Sequence, residues 1–280
     1  MTLPVRPVPR TRRQTPPVRR ASSRVQASRI AAGVLALAAI AAFYGLLASP
    51  AFALRRLDID GARFTGEDAV AAAAGLSGSP GPNAFAFDTE AVAAALRSLP
   101  AVIDVDVEVA LPDLLRVRVV EREPVLAWKV GEAFSWVSAD GVVLSREAVD
   151  APEYGDLPVF VDERTGRPAP KAGGTVDPTD LAAARRLGSL TPEMAGSTAD
   201  ALSFHVTDGE GFVVTAPGRT WRAVFGIYTP TLRPPDVIPA QVQCLASLMK
   251  AQGEKRIDSV YLFPEGDRCG TFTIRKAASS

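Results

Sequence analysis

Two neighbouring segments between residues 99 and 128, each alternating apolar and charged residues, constrain the fold most strongly. Val105, Val107 and Val109 alternate with acidic residues, and a second alternation follows the turn residues at 111–113. A period of two is typical of a strand that is buried on one face only. The pair predicts an antiparallel hairpin whose exposed face sets carboxylates opposite guanidinium groups. The outward residues would be Asp104, Asp106, Glu108, Arg116 and Arg118.

The residues before this hairpin predict one strand followed by two helices. A short apolar alternation at 54–59 suits a strand, and Thr65 with Asp68 three residues later suggests a capping box at a helix start. Asp88 would be the N-cap of the second helix. The order over residues 54–128 is therefore strand, helix, helix, strand, strand.

Two motifs at the ends of the hairpin carry a family resemblance. They are Leu-Pro-Ala-Val at 99–102 and Val-Glu-Arg-Glu-Pro-Val-Leu-Ala-Trp at 120–128. Both resemble the POTRA domain of the FtsQ/DivIB family of bacterial cell-division proteins, whose element order also matches. Asp104 stands where that family has a small residue. The resemblance in element order extends from about Arg6 to Arg275.

Residues 129–276 predict a second, mostly antiparallel β domain with flanking helices, so the fold class is α+β. Asp177-Pro178 begins one helix, and residues 239–252 have the periodicity of another. The family pattern Val-Asp-Leu-Arg is absent from the penultimate strand at 257–263. This departure weakens the transfer of individual residue roles from the family.

The N-terminal residues predict a membrane anchor. Residues 1–29 are rich in Pro and Arg, which indicates a disordered tail, and their charged residues are eight arginines. Ile30 to Leu47 carries no charge and would span about 27 Å as a helix, so we place a transmembrane helix at 30–49. The positive-inside rule then puts the tail in the cytoplasm and the body outside. A cleaved signal peptide is the alternative, because Ala51-Phe52-Ala53 fits a cleavage site.

Candidate catalytic residues are few. His205 is the sole histidine, and its place in an alternating strand turns it away from the core. Neither a phosphate-binding loop nor a nucleophile motif occurs, so we expect no enzyme activity and no cofactor. Although the net charge is zero, the arginine-rich tail leaves an acidic body, which argues against nucleic-acid binding. Cys244 and Cys269 are either small buried residues or a disulfide pair.

The two terminal strands are the candidate partner site. A last strand often lies at a sheet edge, where a partner's strand can add to it, although these strands could equally just complete the sheet. The resemblance implies that this region binds FtsB, alone or with FtsL. The candidate residues are Tyr261, Leu262, Phe263, Phe272 and Ile274. Tyr261 and Phe263 would form an outward pair, with Phe272 and Ile274 as the corresponding pair on the last strand.

The resemblance therefore implies a non-enzymatic, single-pass scaffold of the bacterial cytoplasmic membrane that works at the division septum. It would hold FtsB-like and FtsL-like partners and, through them, help to control the septal peptidoglycan synthase. The alternative is a secreted or anchored POTRA-type module for protein translocation or envelope assembly. Such modules usually carry several POTRA units or a barrel, and neither pattern is present in this sequence.

Overall fold

The structure, a computed structural model, describes residues 23–47, 49–76, 81–145, 154–263 and 269–275. The chain divides into two compact units, Met1–Phe52 and Ala53–Ser280. The predicted fold class is confirmed, since the elements are an N-terminal apolar helix, a small mixed sheet with two helices, and a larger, mostly antiparallel sheet.

The first unit contains helix α1, Ser23–Leu47. Its window Ser28–Gly45 is the one stretch in the described chain that is long and apolar enough to cross a membrane. The helix begins before the predicted start at residue 30, because residues 23–29 contain no Pro or Gly that would end it. Residues 1–22 of the predicted disordered tail lie outside the described residues.

The second unit begins with the predicted order of strand, two helices and two strands. The elements are β1 (Arg56–Asp60), α2 (Glu67–Ala73), α3 (Thr89–Arg97), β2 (Val102–Ala110) and β3 (Leu114–Glu121). The sheet order is β1-β3-β2, with β1 parallel and β2 antiparallel to β3. Asp106 lies opposite Arg118 and Glu108 opposite Arg116, as the alternation predicts.

The start of α2 differs from the prediction. Its N-cap is Gly66, and no side chain caps the helix. The Thr65 backbone N–H instead donates to Glu121 Oε1 at 2.7 Å, so the capping box expected at Thr65 and Asp68 is wrong. This hydrogen bond to Glu121, the last residue of β3, replaces the expected local helix cap. The second predicted cap is correct, since Asp88 accepts hydrogen bonds from the first turn of α3.

A nine-stranded sheet follows, in the order β12-β11-β10-β9-β8-β7-β4-β5-β6. Its strands are β4 (Pro124–Val130), β5 (Ala133–Ser138), β6 (Val143–Ser145), β7 (Val159–Asp162), β8 (Ser203–Thr207), β9 (Gly211–Thr215), β10 (Arg222–Gly226), β11 (Ile257–Leu262) and β12 (Gly270–Ile274). Three of its eight strand pairs are parallel: β4–β7, β7–β8 and β10–β11. Helices α4 (Pro178–Gly188) and α5 (Ile238–Gln252) complete the body.

One core cluster combines both helices with the nine-stranded sheet. Phe160, Leu187, Phe225 and Leu245 are fully buried in it. Strand β4 already belongs to this sheet, although the prediction assigns residues 54–128 to the first domain. The pairing of β4 therefore favours a domain boundary near Glu123, which stays a proposal.

Candidate functional site at the open edge of the second sheet

Strand β12 lies at one edge of the nine-stranded sheet, and among the described strands it pairs with β11 alone. The backbone groups on its other side therefore face away from the sheet. Such an edge can accept an added strand from another chain. The opposite edge is the three-residue strand β6, which offers a shorter template.

Strand β11 and the residue that follows it present two aromatic side chains beside this edge. Tyr261 is 38% exposed and Phe263 is 37% exposed, whereas Leu262 between them is 4% exposed and belongs to the core cluster. Because neighbouring side chains of a strand point to opposite faces, Tyr261 and Phe263 share the outward face. Leu262 cannot contact a partner directly while the body is folded.

The last strand does not place Phe272 on that same face. Phe272 lies opposite the buried Val260 and packs against the core, while Thr271 lies opposite Tyr261. The register therefore turns Phe272 towards the core, which corrects its predicted pairing with Tyr261 and Phe263. Ile274 is 46% exposed at the far end of the strand, but it shares the face of Phe272 and lies opposite the buried Ile257, so its predicted place beside Tyr261 and Phe263 is corrected as well.

The pairing of the two strands is irregular near its far end. The register shifts between Ile257 and Ser259, and the Ser259 backbone N–H donates to the Thr273 side-chain oxygen at 3.1 Å. A side-chain acceptor thus replaces a backbone acceptor where the ladder is interrupted. Irregularities of this kind increase the local twist and are common at sheet edges.

Arg233 holds the strand ends beside Phe263. Its Nη2 donates to the carbonyl oxygens of Phe225, at the end of β10, and of Leu262, at 3.0 Å. Its guanidinium carbon lies 5.6 Å from the centre of the Tyr228 ring. Burial lowers the pKa of Arg233 and raises the pKa of Tyr228. Arg233 therefore ties the two strands together at the end where the aromatic pair lies.

Gln241 adds a second tie from α5. Its Nε2 donates to the carbonyl oxygens of Phe225 at 3.1 Å and of Phe263 at 3.2 Å, and its Oε1 accepts from Tyr228 Oη at 2.7 Å. Gln241 is not among the residues that the sequence predicts for this site. A polar residue on the buried face of a helix was the available signal, because buried polar groups require hydrogen-bond partners.

A further part of the surface comes from the proline-rich segment at residues 227–238. Ile227 is 53% exposed and Leu232 is 89% exposed. Since Arg233 is bonded to the end of β11, this segment lies next to Phe263. Neither Ile227 nor Leu232 is among the residues that the sequence predicts for this site.

The two cysteines lie at the same end of the sheet. Cys244 is 7% exposed on α5, and Cys269 is the last residue before β12. Their Cα atoms are 5.1 Å apart, and the structure contains the bond between their sulfur atoms. A separation of this size suits a disulfide.

His205 lies apart from this edge, on β8, the third strand inward from β11 along the sheet order. Its Nδ1 is 3.1 Å from Glu163 Oε1 in a partly exposed pair. In the part of the chain that the structure describes, no group of three or more His, Cys, Asp or Glu residues could hold a metal ion.

Comparisons with known proteins find one family model and several relatives that are similar to parts of this chain. Residues 52–122 match the model of the POTRA domain, FtsQ-type. The cell division protein FtsQ of Chloroflexus aurantiacus is 29% identical over 172 residues, which is 61% of this chain and 61% of that protein. The protein of the same name from Mycobacteroides abscessus is 29% identical over 212 residues, or 67% of this chain and 64% of that protein.

A third relative, the cell division protein FtsQ of Cereibacter sphaeroides, is 35% identical over 138 residues, or 47% of this chain and 43% of that protein. The chain thus spans about 61% of the length of the relative from Chloroflexus aurantiacus and of the protein of the same name from Chloroflexus aggregans. The POTRA match ends at residue 122, immediately before the strand that opens the larger sheet.

Proposed function

We propose that this chain, which is similar to FtsQ cell division proteins and matches the FtsQ-type POTRA domain at residues 52–122, is a membrane-anchored scaffold of the bacterial division machinery. It holds FtsB-like and FtsL-like partners at the division septum. Through them it helps to control the septal peptidoglycan synthase, which it does not contact itself.

The open edge at β12 is the observation that carries this proposal. Within the described strands, the edge combines backbone groups that face away from the sheet with the outward aromatic side chains of Tyr261 and Phe263. A partner strand that adds to β12 gains main-chain hydrogen bonds, and the aromatic side chains supply the apolar contacts that dominate binding energy. Ile227 and Leu232 extend the apolar surface around that edge.

The apolar helix α1 supports the anchoring part of the proposal. Arginines precede the span Ser28–Gly45, so the N-terminus lies in the cytoplasm and the body lies outside. Anchoring restricts the body to two dimensions, which raises its effective concentration towards other anchored proteins. This gain compensates for a modest affinity at a single strand edge.

The scaffold works without catalysis. His205 contacts one glutamate on the surface and has no nucleophile or second histidine beside it in the described structure. His205→Ala therefore leaves the protein able to complement a strain that lacks its own copy. Loss of complementation with normal abundance and folding would argue for a catalytic role.

A pull-down with the full chain in detergent tests the proposed function. Purified FtsB-like and FtsL-like proteins from the same organism are the partners, and an unrelated single-pass membrane protein is the control. We expect capture of the FtsB-like protein alone or together with the FtsL-like protein. Equal recovery of the control and the division proteins would contradict the proposal.

A further inference from the structure

We propose that the bond between Cys244 and Cys269 holds the open edge in its binding geometry, so that partner binding depends on the thiol–disulfide state of these cysteines. The binding consequence rests on the proposed function. The effect on the edge itself does not rest on the proposed function. It follows from the small number of contacts near the bond and from the link that the bond makes between α5 and the start of β12.

Strand β12 has few contacts at the end where the bond lies, whereas its far end is tied by the Ser259 N–H to the Thr273 side chain and by the Arg275 N–H, which donates to the Arg256 carbonyl at 2.9 Å. It has five residues, pairs with β11 alone among the described strands, and packs one apolar side chain, Phe272, against the core. Thr271, Thr273 and Ile274 are exposed. Strands with few buried contacts and exposed hydrogen bonds open at a lower free energy than the rest of a sheet. An edge of this kind frays unless something outside the ladder restrains it.

One turn of α5 supplies that restraint on both sides of the hairpin connection. Gln241 and Cys244 are three residues apart and both are buried, so they share one helix face. Gln241 Nε2 donates to the carbonyl of Phe263, directly after β11, at 3.2 Å. Cys244 is bonded to Cys269, which directly precedes β12. Phe263 N–H also donates to the Cys269 carbonyl at 3.4 Å.

Helix α5 is a firm anchor for this purpose. Ile238, Leu245 and Met249 are almost completely buried, and the helix packs against both β10 and β11. The bond closes a loop with a sequence separation of 25 residues. A cross-link of that length removes many conformations from the opened state of the hairpin and so favours the closed edge.

The bond is also reachable by a reductant from one side. Cys269 is exposed, whereas Cys244 is buried. A thiolate of a dithiol reductant bonds to the Cys269 sulfur and releases Cys244, which takes up a proton. The second thiolate of the reductant then attacks the mixed disulfide, closes the reductant's own disulfide and releases Cys269 as a thiol. Two electrons pass to the protein, and a disulfide oxidant reverses the exchange.

Hydrogen exchange of the full chain in detergent tests the restraint without any partner. The samples are the oxidised protein, the same protein with dithiothreitol, and Cys244→Ala/Cys269→Ala with and without dithiothreitol. We expect amide exchange in residues 270–274 to become roughly tenfold faster or more when the bond is absent, with no effect of dithiothreitol on the double variant. Strands β4 and β5 should keep their protection. Unchanged exchange in β12 would overturn the inference.

Val143→Ala is the matched control, because it removes apolar volume from β6 at the opposite edge of the sheet. If it accelerates β12 exchange as much as loss of the bond does, the effect is general destabilisation and the inference fails. Affinity for the FtsB-like partner is then measured on the same samples. We expect weaker binding wherever the bond is absent. Equal affinity of the oxidised and reduced proteins would refute the binding consequence, whereas no binding by either would refute the proposed function and leave exchange to decide the restraint.

Discussion

Arg122 and Asp140 join the two sheets of the body: Arg122 Nε lies 3.1 Å from Asp140 Oδ2. Arg122 directly follows β3 of the small sheet, and Asp140 lies in the turn between β5 and β6 of the larger one. Arg122 Nη1 also donates to the carbonyls of Pro100 at 3.1 Å and of Val102 at 2.7 Å. The Ser138 hydroxyl, together with Arg122, lowers the pKa of Asp140.

An aromatic cluster covers the same junction. Phe64, from the turn before α2, lies 5.8 Å from Tyr154, whose ring is 5.7 Å from Trp136 on β5. The small sheet is therefore connected to the larger one by both polar and apolar contacts. Arg122, a residue of the motif at the end of the hairpin, therefore joins the two sheets. Its position in that motif does not by itself predict this contact.

Arg122→Ala should lower the stability of the body by about 1–3 kcal/mol, because the carbonyls of Pro100 and Val102 lose a charged donor. Asp140→Asn should cost less than about 1 kcal/mol, since the Asp140 side chain is 57% exposed and such pairs contribute little. Thermal unfolding of both variants measures the difference. Equal losses would mean that the ion pair, and not the carbonyl contacts, dominates the junction.

Glu121→Gln tests the neighbouring motif residue. The Glu121 carboxylate accepts backbone hydrogen bonds from Arg63 and Phe64, both at 2.8 Å, in addition to the one from Thr65. We expect a loss of about 1–3 kcal/mol in denaturant unfolding, because charged acceptors bind these N–H groups more strongly than amides do. The exposed Glu123→Gln should be neutral, and equal effects of the two substitutions would contradict this role.

Thr65→Val separates this arrangement from a helix cap. The Thr65 side-chain oxygen is buried and has no hydrogen-bond partner within the described structure. A substitution of the same shape should therefore leave the stability unchanged or raise it. A loss of about 1 kcal/mol in denaturant unfolding would instead fit a capping hydroxyl.

The order of elements could be predicted because each one has a local signal. Alternation defines β2 and β3, and Asp88 and Asp177 mark helix starts that the structure contains. Thr65 shows the limit of such signals, because its local motif competes with a tertiary contact to Glu121, 56 residues away in sequence. A pattern in one sequence does not show whether a hydrogen bond between residues so far apart will replace a local helix cap.

Glu254 makes the stability of the larger domain depend on pH. Its carboxylate accepts hydrogen bonds from Ser197, from Thr198 N–H at 3.1 Å and from Trp221 Nε1 at 2.8 Å. Burial alone would raise the pKa of this carboxyl, but these hydrogen bonds lower it from 4.5 to about 2. The folded state therefore favours the ionised form, and the stabilisation is fully present above the unfolded pKa.

Glu254→Gln should consequently be less stable than the parent by about 2–3 kcal/mol at pH 7. The difference should shrink as the pH falls from about 4.5 towards about 2, where the carboxyl becomes protonated in both states. Urea unfolding at several pH values measures it, with the exposed Glu193→Gln as control. A difference that does not change with pH would rule out this ionisation as its source.

The membrane orientation gives another prediction. A reporter that functions only outside the cytoplasm should be active when it is fused after Ser280, whereas a reporter that functions only inside should be inactive there. The protein should also stay in the membrane fraction. The expected mature chain retains α1. A mature N-terminus at Leu54, one residue after the candidate cleavage site, would instead identify a cleaved signal peptide.

The candidate site was less predictable than the fold. Strand propensity and position identified Tyr261 and Phe263, but only the register shows that Phe272 faces the core, opposite Val260. Ile227 and Leu232 reach the site because Arg233 is bonded to Leu262, and a contact between residues 29 positions apart has no sequence signature. Alternation assigns the two faces within one strand but cannot align the faces of two strands.

The most direct test of the proposed scaffold is the affinity of the FtsB-like partner for single glutamate substitutions at the edge. Tyr261→Glu and Phe263→Glu should each weaken binding by roughly tenfold or more while the melting temperature stays within about 2 °C of the parent. Leu262→Glu should lower the melting temperature strongly, because it places a charge in the core. If Tyr261→Glu and Phe263→Glu bind as the parent does, or lose binding only when they also unfold, the partner does not use this edge.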